Sequence, residues 1–135
     1  MTNQTMRVEQ SNFFNHLEME KWKNDDGSVM VSLNVQEIHK NEDGQVSDGI
    51  YYTLLDVALG TGVSEQAGGF GVTIDMHVQI LEPQKLEKPK KLICKVSVVH
   101  INGKKGNSSG DVFNEDGKLV ATGMGTFKIA KAVEK

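Results

Sequence analysis

The sequence predicts an α+β fold in which a curved antiparallel sheet of about six strands wraps one long central helix. Two observations carry this expectation. Placed at 100° per residue, residues 49–63 are apolar nearly all round. Val57, Thr61, Leu54 and Ala58 gather about Ile50, while Leu55, Leu59 and Val63 cover much of the remainder. A helix with that surface belongs at the centre of the molecule. Around it lie segments with a period of two, separated by short turn sequences, as in consecutive antiparallel strands.

Taken in order, residues 7–16 carry Phe13 and Phe14 and read as a short peripheral helical segment. Leu17 to Lys23 alternates imperfectly and reads as a strand. Asn24-Asp-Asp-Gly27 is a turn. From Ser28 to Ile38, Val29, Val31, Leu33 and Val35 share one face, which completes a hairpin. After the helix, Val72, Ile74, Met76, Val78 and Ile80 alternate strictly with Thr73, Asp75, His77 and Gln79. Leu81 to Lys91 is a lysine-rich crossover, read as solvated. Strands over 92–101, 108–114 and 118–129 follow, divided by turns at Asn102–Gly106 and Asn114–Gly117. The tetrapeptide NEDG occurs at 41–44 and again at 114–117, where it reads as a plain hairpin turn.

The chain has 135 residues, enough for one domain over 1–135 with a core that needs no metal or disulfide. No apolar run reaches the roughly 20 residues of a membrane helix, and the N-terminus lacks the pattern of a signal peptide. Cys94 is the single cysteine, which suits a reducing cytoplasm and reads as a core residue. With a net charge of −3 there is no global basic field for nucleic acid, so an anionic ligand needs local lysines or backbone N–H groups.

One carboxylate stands out. Asp56 lies inside the apolar helix, on a narrow stripe with Gly49, Thr53 and Gly60, the strip where something else can come close. A buried carboxylate without partners costs several kcal/mol or becomes protonated. Reaching the helix surface or bonding Thr53 is the plain explanation. The polar, glycine-bearing loop ahead of the helix favours another, because it leaves free N–H groups at the helix N-terminus. Such groups stabilise a developing oxyanion, and Asp56 sits about 10 Å further along the axis. If two chains pair, the helix end of one meets Asp56 of the other, a geometry suited to hydrolysis of an activated ester.

Residues His39-x-Asn41-x-x-Gly44-x-x-Ser47-Asp48-Gly49-x6-Asp56 resemble the H-x-N-x-x-G-x-x-H-G-G-x6-D signature of hot-dog acyl-CoA thioesterases of the phenylacetic-acid-degradation (PaaI-like) type. Gly71 to Met76 with Pro83, Gly103-Lys104, and Asp116 to Phe127 extend the similarity over about residues 28–129. The resemblance implies a hot-dog fold, active sites shared across a homodimer, and a dimer of dimers. It implies an acyl-CoA substrate with a small or medium acyl group, and no cofactor or metal. Asp56 is then general base or nucleophile, and the N–H near Asp48 polarises the carbonyl. Asn41 places water or substrate, Thr73 assists the water, and Lys104 and Lys105 meet a phosphate of coenzyme A beside Gly103. The family's histidine is Ser47 here, at the substrate, and its first glycine is Asp48. Asp48 can instead turn away and cap the helix; alternatively, a one-residue gap pairs Asp48-Gly49 with the family's His-Gly and moves the polarising N–H to Gly49. These two changes keep open a non-catalytic acyl-CoA-binding module; a dehydratase on the same fold lacks a convincing histidine.

The remaining residues carry blander expectations. His39 reads as structural and His77 as surface or interface. His16 and His100 have no partners at metal-ligand spacing. Tyr51 and Tyr52 read as packing at a helix or subunit interface. Gly68-Gly69-Phe70-Gly71 reads as a turn before a strand.

Overall fold

The structure, a computed structural model, describes residues 4–5, 17–81 and 88–130. The expected helical segment at 7–16, His16 and most of the lysine-rich crossover lie outside these. The elements run β1 (Gln4–Thr5), β2 (Met19–Lys23), β3 (Val29–Asn34), a 3-10 turn (Glu37–His39), α1 (Asp48–Ala67), β4 (Phe70–Ile80), β5 (Lys91–Asn102), β6 (Lys105–Asn114) and β7 (Leu119–Ala130). One antiparallel sheet has the order β1-β2-β3-β5-β6-β7-β4. This is the one-helix, wrapped-sheet architecture of the hot-dog fold.

Three boundaries differ from the expectation. Strand β3 stops at Asn34, and the chain turns into the 3-10 segment. Strand β6 begins at Lys105, so the β5–β6 loop is only Gly103-Lys104. The helix runs on to Ala67 and closes on Gly68, whose φ of 78° is the left-handed conformation that glycine adopts without strain. Ser64, Glu65 and Gln66 are polar and mask that last turn in the sequence.

The helix buries one face on the sheet. Tyr51, Leu54, Leu55, Ala58, Leu59 and Val63 are wholly inaccessible, as are Val31, Leu33, Leu92, Cys94, Val112 and Phe127 of the sheet. Each large side chain so buried stabilises the fold by roughly 1.5–3 kcal/mol relative to exposure. Glycines in the sheet let the helix come close. A Cβ on Gly110 would lie 3.1 Å from Leu59 Cδ2, and one on Gly123 would lie 3.1 Å from Leu55 Cδ1. The buried Ser108 hydroxyl donates to the Leu59 carbonyl at 3.0 Å and ties β6 to α1. The opposite side of the helix is not buried: Ile50, Val57 and Thr61 stay partly accessible. The chain thus makes a helix apolar all round but covers only part of it.

The strict alternation over 72–80 conceals a break. Thr73 pairs with Phe127 and Asp75 with Thr126, so Ile74 is an extra residue, a β-bulge. Beyond the bulge, Met76, Val78 and Ile80 pair with Gly125, Gly123 and Ala121 and pack on the core. Ahead of it the faces are exchanged. Thr73, across from the buried Phe127, turns toward the helix, while Val72, across from Lys128, turns to the outer face. A period of two read straight through places these two residues the other way round. The bulge re-aims Thr73.

Candidate active site

Helix α1 and strand β4 meet at two glycines. A Cβ on Gly71 would lie 3.1 Å from the Gly60 carbonyl oxygen, and one on Gly60 would lie 3.3 Å from Phe127 Cε2. The two backbones therefore touch with no side chain between them. From that contact, one helical turn back toward the N-terminus is Asp56, about 6 Å along the axis, and two residues up the strand is Thr73, about 7 Å. The steps match, and the side chains meet: Thr73 Oγ1 donates to Asp56 Oδ1 at 2.7 Å. Asp56 is partly accessible and Thr73 is exposed, so the pair opens outward from the helix-strand seam. The stripe Gly49-Thr53-Asp56-Gly60 is what lets the strand approach. Thr53 is occupied elsewhere, donating to the Gly49 carbonyl at 2.8 Å. Gly60 was legible as part of that stripe, whereas the contact of Gly71 with it and the bulge at Ile74 had no legible role in the sequence.

The helix N-terminus is built separately. Ser47 is the N-cap residue, with extended backbone and no side-chain capping bond, and its carbonyl accepts the Ile50 N–H at 2.9 Å. Asp48 is the first helical residue, so it is not the cap, and its carboxylate lies where the positive end of the helix favours it. Asp48 and Gly49 are exposed, and a Cβ on Gly49 would meet nothing within 4 Å. Their N–H groups precede the first intrahelical bonds, and among the described residues neither donates to a backbone carbonyl. Asp48 and Asp56 are eight residues apart, about 12 Å along the axis. One carbonyl carbon cannot face both within a single chain.

The loop leading into the helix is held by His39 and Asn41. His39 is buried; its Nδ1 accepts the Gln36 N–H at 2.9 Å, which puts the ring proton on Nε2, and its carbonyl accepts the Ser47 N–H at 2.9 Å. Asn41 Oδ1 accepts the N–H groups of Asp43 and Gln45 at 2.9 and 3.1 Å. Asn114, which opens the second NEDG, does the same with Asp116 and Lys118, at 3.0 Å each. Gly44 and Gly117 both have φ of 79° and donate to Asn41 and Asn114 carbonyls. Bond for bond, the two loops are the same turn.

Gly103, Lys104 and Lys105 lie at the other end of the helix. A Cβ on Gly106 would be 2.8 Å from Val63 Cγ1, seven residues past Asp56 and about 10 Å further along the axis. The Gly103-Lys104 turn is fixed by a 2.7 Å bond from the Ile129 N–H to the Lys104 carbonyl. The sequence-identified residues thus fall into three groups along one helix: Asn41 with Ser47, Asp48 and Gly49 at its start, Asp56 with Thr73 in the middle, and Gly103 with the two lysines at its far end.

Other candidates are placed away from this axis or are inert. Burial pushes the Cys94 thiol up to about 12, with a smaller push from Asp111. Tyr51 is also pushed up to about 12, chiefly by burial and further by Asp48. Tyr51 is a core residue, whereas Tyr52 is exposed. His77 and His100 are exposed. A 460 Å³ cleft lies on the opposite side of the helix from Thr73, beside Gly62, Val96 and Val98. Two ion pairs flank it, Lys23–Glu65 and Lys95–Asp26, both at 3.4 Å.

Comparison with known proteins bears on the same segment. The family model described as "Thioesterase superfamily" matches residues 43–121, from the loop before the helix into β7. Human acyl-coenzyme A thioesterase 13 is 28% identical over 102 residues, spanning 74% of this chain and 71% of that protein. A Bacillus halodurans protein whose crystal structure was determined with CoA superposes with a TM-score of 0.81 at 26% identity, over 94% of this chain and 83% of that one. The PaaI protein of the E. coli phenylacetic acid degradation operon superposes with a TM-score of 0.78 at 19% identity, over 92% and 88% of the two chains, a likeness of fold. More than half of the chain matches the family model, and it contains both Asp56 and Thr73: the chain belongs to the thioesterase superfamily.

Proposed function

We propose that this protein hydrolyses an acyl-CoA thioester with a small or medium acyl group, at sites completed by a second copy of the chain. The observation that carries the reading is the Thr73–Asp56 hydrogen bond of 2.7 Å at an accessible helix-strand seam. It engages Oδ1 and leaves Oδ2 for a water molecule. Asp56 takes a proton from that water as its oxygen attacks the thioester carbonyl carbon. The C–S bond then breaks, and the departing CoA sulfur receives the proton. Along the alternative nucleophilic route the carboxylate itself attacks, the C–S bond breaks to release CoA as the thiolate, and water then cleaves the resulting anhydride on Asp56 to free acid and carboxylate. Single turnover in ¹⁸O-labelled water separates the routes, since only the anhydride leaves label in the aspartate.

Charge developing on the carbonyl oxygen needs N–H donors, and the exposed N–H groups of Asp48 and Gly49 are of the right kind. Their separation of about 12 Å from Asp56 in the same chain supports a donor from a second protomer. The position of β4 supports it as well. This strand is the edge of the sheet, and Phe70, Val72 and Ile74 along it are each 52% exposed. An edge strand with apolar, uncharged flanks is a surface for pairing. Ile50 and Val57 on the open side of the helix are available to the same neighbour. Paired dimers forming a tetramer, residence in the cytoplasm and independence of any cofactor belong to the same reading.

Purified protein offered a panel of acyl-CoAs with a thiol-reactive reporter tests the proposal. Turnover that falls at least about 100-fold in Asp56→Asn supports it. Saturable binding of acyl-CoA without thiol release at any chain length favours the non-catalytic binding module, to which the exposed carboxylate of Asp48 at the oxyanion end gives some support.

A further inference from the structure

The turn between β5 and β6 brings together the parts of a backbone reaction. Asn102 ends β5 and is followed by Gly103, and this Asn-Gly pair occurs once in the sequence. Both residues are exposed. Gly103 has a φ of 57°, and a Cβ built on it would meet nothing within 4 Å, so the space around its nitrogen is open. Among the described residues the Gly103 N–H donates to no acceptor, and the Asn102 amide has no partner. The other asparagines of the described segments differ. The side chains of Asn24, Asn41, Asn107 and Asn114 are held in hydrogen bonds. The Asn34 side chain makes none, but the residue after it is Val35. The Val35 N–H donates to the Lys90 carbonyl at 2.9 Å, and its branched side chain stiffens the position. Cations surround the turn: Lys104 lies within it, Lys105 stands across the ladder from Asn102, and Lys128 stands across from Lys105. None of the three makes an ion pair among the described residues.

We propose that Asn102 is a site of spontaneous covalent modification, at which deamidation through the Gly103 nitrogen turns the side-chain amide into a carboxylate. The Gly103 nitrogen gives up its proton to solvent and attacks Asn102 Cγ. The bond from Cγ to the side-chain nitrogen breaks, and that nitrogen takes a proton from solvent and leaves as ammonia. Water then opens the five-membered imide at either carbonyl. One opening leaves an aspartyl residue. The other leaves an isoaspartyl linkage, in which the main chain runs through Cβ and Cγ. One water is consumed and one ammonia released, with no oxidation or reduction. The neighbouring ammonium groups favour the nitrogen anion that attacks, and glycine brings no side chain into the closing ring. The aspartyl product sets a carboxylate across the ladder from Lys105, with Cβ atoms about 5 Å apart, so a neutral pair becomes an ion pair. The isoaspartyl product lengthens the main chain where β5 enters the Gly103-Lys104 turn. Both changes fall about 10 Å along the helix from Asp56. Their effect on the reaction rests on the acyl-CoA reading above: the lysine end of the helix then serves the anionic part of the substrate, and modification acts on affinity.

The test is storage of the folded protein at neutral pH, with mass spectrometry of the tryptic peptide 96–104 and enzymatic methylation of isoaspartyl groups as readouts. Deamidation is expected to accumulate in that peptide while Asn34, Asn107 and Asn114 stay intact. Asn102→Gln is expected to abolish it there, and Gly103→Ala to slow it about tenfold by crowding the attacking nitrogen. Thermal unfolding checks that both variants are folded. Deamidation spread evenly over the other asparagines, or seen in 96–104 only when the chain is unfolded in urea, overturns the proposal. Asn102→Asp reproduces the aspartyl product and is expected to raise KM for acyl-CoA about fivefold at low salt, with kcat retained. An unaltered KM overturns the effect assigned to the new carboxylate. The modification is read without turnover, so the two readings fail separately. A protein that deamidates at Asn102 and hydrolyses no acyl-CoA keeps the modification site and loses the enzymatic reading. A protein that hydrolyses acyl-CoA and stays intact at Asn102 does the reverse.

Discussion

Thr73 donates its hydroxyl proton to Asp56 across 2.7 Å, joining the middle of the helix to the edge strand of the sheet. The bond depends on the glycine contact one step away and on the bulge that turns Thr73 inward. Removing the hydroxyl frees the carboxylate to rotate without changing its charge. Thr73→Val is expected to lower kcat about tenfold, the value of one hydrogen bond, while Asp56→Asn lowers it at least about 100-fold. Thiol-release kinetics measure both, and thermal unfolding checks that each variant is folded. Equal activities in Thr73→Val and the wild type would deny the bond a part in the reaction.

Gly71 sets the distance between the strand and the helix. A side chain there would press on the Gly60 carbonyl, a backbone atom that cannot swing aside. Gly71→Val is expected to cost about 1–3 kcal/mol of stability through overpacking and to lower kcat by separating Thr73 from Asp56. Gly27→Ala controls for stability alone: its φ of 87° makes any side chain strained, but it lies in the β2–β3 turn, far from the seam. Denaturant titrations beside kinetics tell the two effects apart.

Asn41 belongs to the family signature, yet its side-chain oxygen makes the bonds that Asn114 makes in an ordinary hairpin turn. Asn41→Ala and Asn114→Ala are therefore expected to lose similar stability, about 1–2 kcal/mol each for two lost acceptor contacts. They are expected to keep comparable kcat. A kcat loss confined to Asn41→Ala would assign it a role at the substrate beyond the loop.

Alkaline pH should destabilise the fold. In the unfolded chain Cys94 ionises near 9 and Tyr51 near 10, whereas burial holds both near 12 in the folded chain. Above pH 9 the unfolded state thus binds fewer protons, so the stability gained by keeping both groups neutral is whole below pH 9 and is lost as the pH rises toward 12. Urea midpoints from pH 7 to 11 measure this. The same burial predicts that Cys94 resists alkylation in the native protein and reacts upon unfolding.

The helix and the order of the strands were legible because each obeys a period: an all-round apolar helix and alternating strands with turn residues between them. Asp56 was legible as a charge in an apolar run. The bulge at Ile74 was not, because apolar residues continue at every second position through 72–80, and only the pairing with β7 shows that the register slips. The end of the helix was hidden by the polar residues Ser64 to Gln66, which lie on its solvent side. Asn41 has two readings in the sequence, a motif position and a plain turn, because the tetrapeptide NEDG is shared with the turn at Asn114, and the side-chain bonds of the two turns are the same.

In the proposed mechanism, Asp56 of one protomer works with the helix N-terminus of another. Mixing two disabled variants tests it most directly. Asp56→Asn removes the carboxylate, and Gly49→Pro removes an N–H at a position in the first helical turn where proline is tolerated. Each variant alone is expected to be nearly inactive. Refolded together, their heterodimers combine an intact Asp56 with an intact helix end at one of two sites, and activity is expected to recover to about a quarter of the wild-type value. A mixture no more active than its parts would rule out a site shared between protomers, because a site contained in one chain cannot be restored by pairing.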